Sequence, residues 1–166
     1  MTSQGRPRSR LPPGRSGEDV SDLDKRIIEH LQADGRRPFT QIATDLGVSE
    51  AAVRARTNRL IERGILQIVG VTDPLRLGFH QMAMIGVRCE SDQLVTVAEE
   101  IAGMPEVDYV VITAGTYDLL IETVCEDNEA LLRFLTEKLR AVAGVRETET
   151  FVYLRMVKQT YQWGTR

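Results

Sequence analysis

Apolar positions fall at helical spacing in the first third of the chain and at strand spacing through much of the rest. Leu23, Ile27, Ile28 and Leu31 recur every three or four residues and predict a first helix. Ser21 with Asp24 forms a capping box at its start, and the helix is expected to end near Asp34-Gly35. Residues 39–64, FTQIATDLGVSEAAVRARTNRLIERG, predict two short helices joined by a tight turn. In the first of these, Thr40 is expected as N-cap, Ile42, Ala43 and Leu46 share a face, and Gly47 can take the left-handed conformation that ends it. Ser49 caps the second, Val53, Thr57, Leu60 and Ile61 are expected to point inward, and Gly64 closes it.

Beyond Gly64 the period becomes extended. Ile65, Leu66, Ile68, Val69 and Val71 predict a short connecting strand that ends at Asp73-Pro74. The second half then reads as strand, helix, strand, strand, helix, strand. The strands are expected over 81–89, 107–113, 119–125 and 145–157, and the helices over 92–103 and 128–142. Residues 114–118 make a hairpin turn. In the last strand Thr148, Thr150, Val152, Leu154 and Met156 alternate on one face. A βαββαβ order predicts a ferredoxin-like sandwich with both helices on one face of a four-stranded antiparallel sheet. Strands apolar on both faces must cover the second face, and another copy of the chain is the economical cover.

Charge divides the chain at the same place. Up to Thr72 there are twelve Lys or Arg against nine Asp or Glu, and from Asp73 nine against fifteen, so the halves carry +3 and −6. Two modules with different partners follow. On the basic module a helix that presents Glu50, Arg54, Ala55, Asn58, Arg59 and Arg63 outward fits the major groove of B-DNA. Ala51 and Ala55 let its backbone approach base edges. An ordinary helical hairpin with a solvated charged face is the competing reading. Residues 1–20 are rich in Pro, Gly, Ser and Arg and are expected to be a disordered arm, with Arg6, Arg8, Arg10 and Arg15 either along DNA phosphates or simply solvated. At the other end Tyr161 and Trp163 either dock on a partner or sheet edge or belong to a frayed tail.

Candidate chemistry is sparse. Cys89 and Cys125 lie far apart, without a second Cys or a His at metal-ligand spacing, and are expected as buried free thiols; His30 and His80 are isolated. No carboxylate pair, Cys/His pair, Ser/His/Asp set or phosphate loop is present, which speaks against an enzyme, and no cofactor is expected. No apolar run reaches ~18 residues and no signal-peptide core opens the chain, so a cytoplasmic protein is expected.

Four stretches in order, LDKRIIEHLQADGR, SEAAVRARTNRLIERGIL, ITAGTYDLLIET and VAGVRETETFVYLRMVKQ, resemble the Lrp/AsnC, or feast/famine, family of bacterial and archaeal transcription regulators from about Leu23 to Gln159. Departures are the long Arg/Pro-rich N-terminus, Thr57 where an aliphatic residue is usual, and Val71 where an aromatic is common. The resemblance implies an α+β chain: an N-terminal helix-turn-helix (winged-helix-like) DNA-binding domain over 21–64, a connector over 65–79, a C-terminal ferredoxin-like βαββαβ (RAM) domain over 80–157 and a tail over 158–166. It further implies a dimer through the C-terminal sheets, often built into tetramers or octamers, with an amino acid or related metabolite held near a Gly-x-Tyr-Asp motif. Here that motif is Gly115, Thr116, Tyr117 and Asp118, with Thr148 and Thr150 adding hydroxyls. Asp118 would accept a hydrogen bond from the effector's ammonium; the alternative is a Gly-rich turn in which Asp118 satisfies backbone groups. On the DNA side the expected contacts are Thr40, Ser49, Glu50, Ala51, Arg54, Arg56, Asn58 and Arg59, on inverted half-sites in duplex DNA. A regulator of amino-acid metabolism genes is the leading reading. A regulatory or oligomerisation subunit that binds a metabolite and no DNA is the alternative.

Overall fold

The computed structural model describes residues 20–160, so the sequence readings of residues 1–19 and of Tyr161 and Trp163 lie outside the described residues. The chain forms two compact units, of which the second runs from Val71 to Lys158.

The first unit is three helices: α1 (Asp22–Ala33), α2 (Phe39–Leu46) and α3 (Glu50–Glu62). Local signals set their ends. Ser21 Oγ accepts from the Asp24 N–H while the Asp24 carboxylate accepts from the Ser21 N–H, the reciprocal cap the sequence predicts for α1. Gly47 (φ 68°) and Gly64 (φ 70°) both take the left-handed conformation just past α2 and α3. Ile27, Ile42, Val53 and Leu60 are buried against one another, with Leu66 closing the cluster.

Three expectations for this unit need correction. Thr40 is not the N-cap of α2. Pro38, its φ already near the helical value, starts the helix two residues earlier, and its carbonyl accepts from Gln41 and Ile42. Ile61 is 43% exposed, because one further step of about 100° beyond Leu60 carries it off the inward stripe. Residues 65–72 form no strand, since a strand needs a partner and the described chain offers this segment none; Ile65, Ile68, Val69 and Val71 stay exposed.

Thr57 is fully buried in α3, and its Oγ1 has no hydrogen-bond partner. Replacing it with the near-isosteric valine removes an unsatisfied hydroxyl. Thr57→Val is therefore expected to stabilise this unit by about 1–2 kcal/mol, seen as a rise of several degrees in Tm by calorimetry. An unchanged or lowered Tm would mean that the hydroxyl has a partner in solution.

The second unit is built from β1 (Gln81–Cys89), α4 (Leu94–Ala102), β2 (Val107–Ile112), β3 (Leu119–Cys125), α5 (Asn128–Arg133) and β4 (Val145–Val152). The strands form one antiparallel sheet in the order β2-β3-β1-β4, the ferredoxin-like arrangement that the sequence predicts. Ala83, Ile85, Val87, Leu119 and Ile121 bury one sheet face against Val97 and Ile101 of α4 and Leu131 of α5. The helical segment that starts with α5 is irregular. It continues as a π turn over Phe134–Lys138 and a 3-10 turn over Leu139–Ala141. Phe134 and Leu139 are five residues apart, and a turn of that width directs both into the core where regular α geometry would direct only one.

The last strand is shorter than expected, ending at Val152, and Leu154 beyond it is 96% exposed. Its register sets the faces. Val152, Thr150 and Thr148 stand opposite Ala83, Ile85 and Val87, on the helix-covered side of the sheet. The other face carries Met82, Met84 and Gly86 from β1, Leu120, Glu122 and Val124 from β3, and Phe151 from β4. No helix of this unit covers it.

Candidate DNA-reading helix and effector domain

Helix α3 holds the candidate reading surface. Ser49 Oγ accepts from the Ala52 N–H, which sets the helix start. Ala51, Arg54, Ala55, Asn58 and Arg59 are exposed. Two arginines are already oriented, in different directions. Arg54 Nη2 lies 2.6 Å from Glu50 Oε1 and its guanidinium stands 5.3 Å from the centroid of the Phe39 ring. Arg56 turns the other way, its Nη1 3.0 Å from Asp24 Oδ1 and 3.3 Å from Ser21 Oγ. The structure thus gives Arg56 the work of clamping α3 to the cap of α1, whereas Arg59 has no ion pair among the described residues. Thr40 is exposed on the first turn of α2, and its carbonyl accepts from Thr44 Oγ1. Phe39 was read in the sequence only as a boundary residue; an aromatic at a helix start, near a helix whose outer face carries arginine, was the available signal.

The clamp is expected to make the unit acid-sensitive. Burial raises the Asp24 carboxyl, but hydrogen bonds from Ser21 and Arg56 outweigh it and hold the pKa below the ordinary 3.8. A carboxyl lowered on folding contributes stability that is whole above its unfolded pKa and is lost as pH falls through the folded one. Thermal unfolding followed between about pH 6 and pH 3 should show this loss in the wild type and a flatter profile in Asp24→Asn. Equal profiles would deny Asp24 the role.

In the second unit the Gly115-Thr116-Tyr117-Asp118 turn joins β2 to β3 and is tied down at several points. The Thr113 N–H donates to the Asp118 carbonyl at 2.9 Å, and Thr113 Oγ1 donates to the Tyr117 carbonyl. The Asp118 N–H donates to the Val87 carbonyl. Asp118 Oδ2 accepts from the Cys89 N–H at 2.8 Å, where β1 departs from regular pairing with β4 between Arg88 and Cys89. One carboxylate oxygen expected for an effector's ammonium is therefore engaged in holding a bulge. Gly115 meets no such demand: a Cβ there would touch nothing within 4 Å, and its φ is not positive.

Tyr117 reaches over the open sheet face. A Cβ on Gly86 would come within 2.5–2.7 Å of its ring, so the glycine is the seat on which the ring lies. Phe151 meets the ring edge-on at 6.4 Å, and the Arg88 guanidinium stands 5.8 Å from its centroid. Arg88 also donates from Nε to the Thr116 carbonyl and pairs with Glu147 at 3.2 Å, bracketing turn, β1 and β4 together. Neither Gly86 nor Arg88 was singled out in the sequence, although a lone glycine inside the apolar run QMAMIGVRC signals close approach. Further along the face the Tyr153 hydroxyl donates to Glu122 Oε1 at 2.9 Å; burial and then this carboxylate push its pKa up to about 12. Thr148 and Thr150 do not join Tyr117, since their register puts them on the opposite side of the sheet.

Burial pushes both cysteine thiols up, with the Asp118 charge adding to the effect at Cys89, so both stay protonated at neutral pH. Among the described residues no group of three or more His, Cys, Asp or Glu side chains could hold a metal, and no helix is long and apolar enough to cross a membrane.

A capped helix-turn-helix with an outward arginine face, in one chain with a ferredoxin-like unit whose sheet is open on one side, defines a two-domain helix-turn-helix regulator. The chain belongs to the Lrp/AsnC family of transcriptional regulators: residues 20–61 match the AsnC-type helix-turn-helix domain, and residues 82–163 the Lrp/AsnC ligand binding domain. It is 34% identical over 155 residues to an HTH-type transcriptional regulator of Pyrococcus horikoshii, covering 93% of this chain and 95% of that one. Among solved structures it resembles a transcriptional regulator from Neisseria meningitidis in complex with L-Met, with a TM-score of 0.80 at 22% identity over 88% of this chain and 97% of the other. It likewise resembles a feast or famine regulatory protein from M. tuberculosis complexed with L-methionine, with a TM-score of 0.77 at 25% identity over 87% and 99%.

Proposed function

We propose that the chain is a sequence-specific DNA-binding regulator whose action on its promoters is set by an amino acid or related small metabolite. The exposed row of Ala51, Arg54, Ala55, Asn58 and Arg59 on α3 carries this reading: it combines close backbone approach with long cationic side chains, as a major-groove reader requires. The face around Met84, Leu120 and Phe151, which no helix of its own unit covers, supports a dimer, because a second copy would bury it and give two reading helices related by a two-fold axis. Inverted half-sites one helical turn or a multiple apart follow from that symmetry. The two L-methionine complexes among the structural neighbours support an amino acid as effector, and genes of amino-acid metabolism are the targets such an effector would serve.

Binding to the chain's own promoter region, measured across a salt series, tests this. Several phosphate contacts should make log affinity fall steeply with log salt, by about 0.9 per phosphate neutralised. Absence of salt-dependent binding would leave the chain as a metabolite-binding subunit without a DNA role.

A further inference from the structure

At the outer edge of the sheet, beside the end of the helical segment, lies an open cleft of about 410 Å³ lined by Arg140, Val145, Arg146, Glu147 and Thr148. That is room for a small metabolite. Arg140 has no ion pair among the described residues, and Arg146 is only loosely held, its Nε 3.6 Å from Glu90 Oε1. Two guanidiniums against one carboxylate leave one positive charge in excess, and the excess is unchanged when the outer partners Glu90 and Arg88 are included. Thr148 and Val145 complete the lining.

We propose that this cleft binds an acidic amino acid, with Arg140 and Arg146 gripping its two carboxylates. A ligand with two carboxylates and one ammonium carries the single negative charge that the cleft lacks, and planar guanidinium forks match carboxylates in pairs. The inference rests on the reading of the second unit as an effector domain, and it names the ligand's class and place. Thr148 stands on the opposite side of the sheet from Tyr117 of the same chain and lines this cleft instead.

Calorimetry and thermal shift on the full chain test it, with L-glutamate and L-aspartate set against L-glutamine, L-asparagine, L-methionine and inorganic phosphate. The acidic pair should bind and raise Tm. Because Arg140 and Arg146 are exposed, Arg140→Gln and Arg146→Gln should fold as wild type while each weakens binding about tenfold to a hundredfold. Unchanged affinity in both variants overturns the proposal. Phosphate binding as tight as the acidic pair overturns it in favour of an unselective anion site. If a neutral amino acid binds and the acidic pair does not, the effector reading survives and this one falls; if nothing binds, both fall.

Discussion

Replacing Gly86 with valine is expected to unseat Tyr117 and lower the stability of the second unit by about 1–3 kcal/mol, the ordinary cost of forcing extra carbon into a packed site. A single Cβ at residue 86 already stands 2.5 Å from Tyr117 Cγ, so the ring has to move, and with it its contacts to Phe151 and Arg88. Glycine inside a strand is a poor choice for the strand itself, which makes the ring the reason for its presence. Calorimetric Tm values of Gly86→Val, Tyr117→Ala and the double variant form the test. Removing the ring should relieve the crowding, so the double variant should lose clearly less than the two single losses added together. Additive losses would show that the glycine serves the strand and not the ring.

Ala55→Glu is expected to abolish promoter binding while leaving the fold intact. Ala55 is exposed on the same outer face of α3 as Arg59, so glutamate there is sterically harmless to the three-helix core. Against DNA it sets a carboxylate where the proposal places base edges and phosphates, and an apposed like charge costs several kcal/mol, about a hundredfold or more in affinity. Arg59→Ala should lose about 1–3 kcal/mol if that side chain meets a base. Arg56→Ala should instead lower the Tm of the first unit, because its partner is Asp24. Titration of labelled promoter DNA together with thermal unfolding separates the three; wild-type affinity in Ala55→Glu would exclude α3 as the reader.

Features with a local cause could be read from the sequence. The Ser21–Asp24 cap, the glycine stops at Gly47 and Gly64, the Ser49 cap and the βαββαβ order each depend on residues a few positions apart, so periodicity and capping chemistry suffice to place them. Features with a distant cause escaped. Asp118 is occupied by Cys89 and Arg56 by Asp24, partners far away in the chain that no spacing rule reveals. Alternation placed Thr148 and Thr150 together on one face, correctly, but which face depends on the register against β1. The wide turn at Phe134 and the unpaired run over 65–72 show the same limit, since an apolar pattern says that residues must be buried or paired and leaves open with what.

The strand order bears on how the protein emerges from the ribosome. The three-helix unit can close its core once Leu66 has been made, from contacts between near neighbours, and helical units of that kind fold fast. The sheet cannot do the same. β1 is synthesised first yet lies inside the sheet, and the strand that covers its second edge is the last one made, Ala83 waiting for Val152. Until then the nascent chain displays an apolar strand with unpaired backbone groups, the state most prone to pairing with the wrong neighbour. Chains cut short between Cys125 and Val145 should therefore aggregate, although the three-helix unit at their start folds normally.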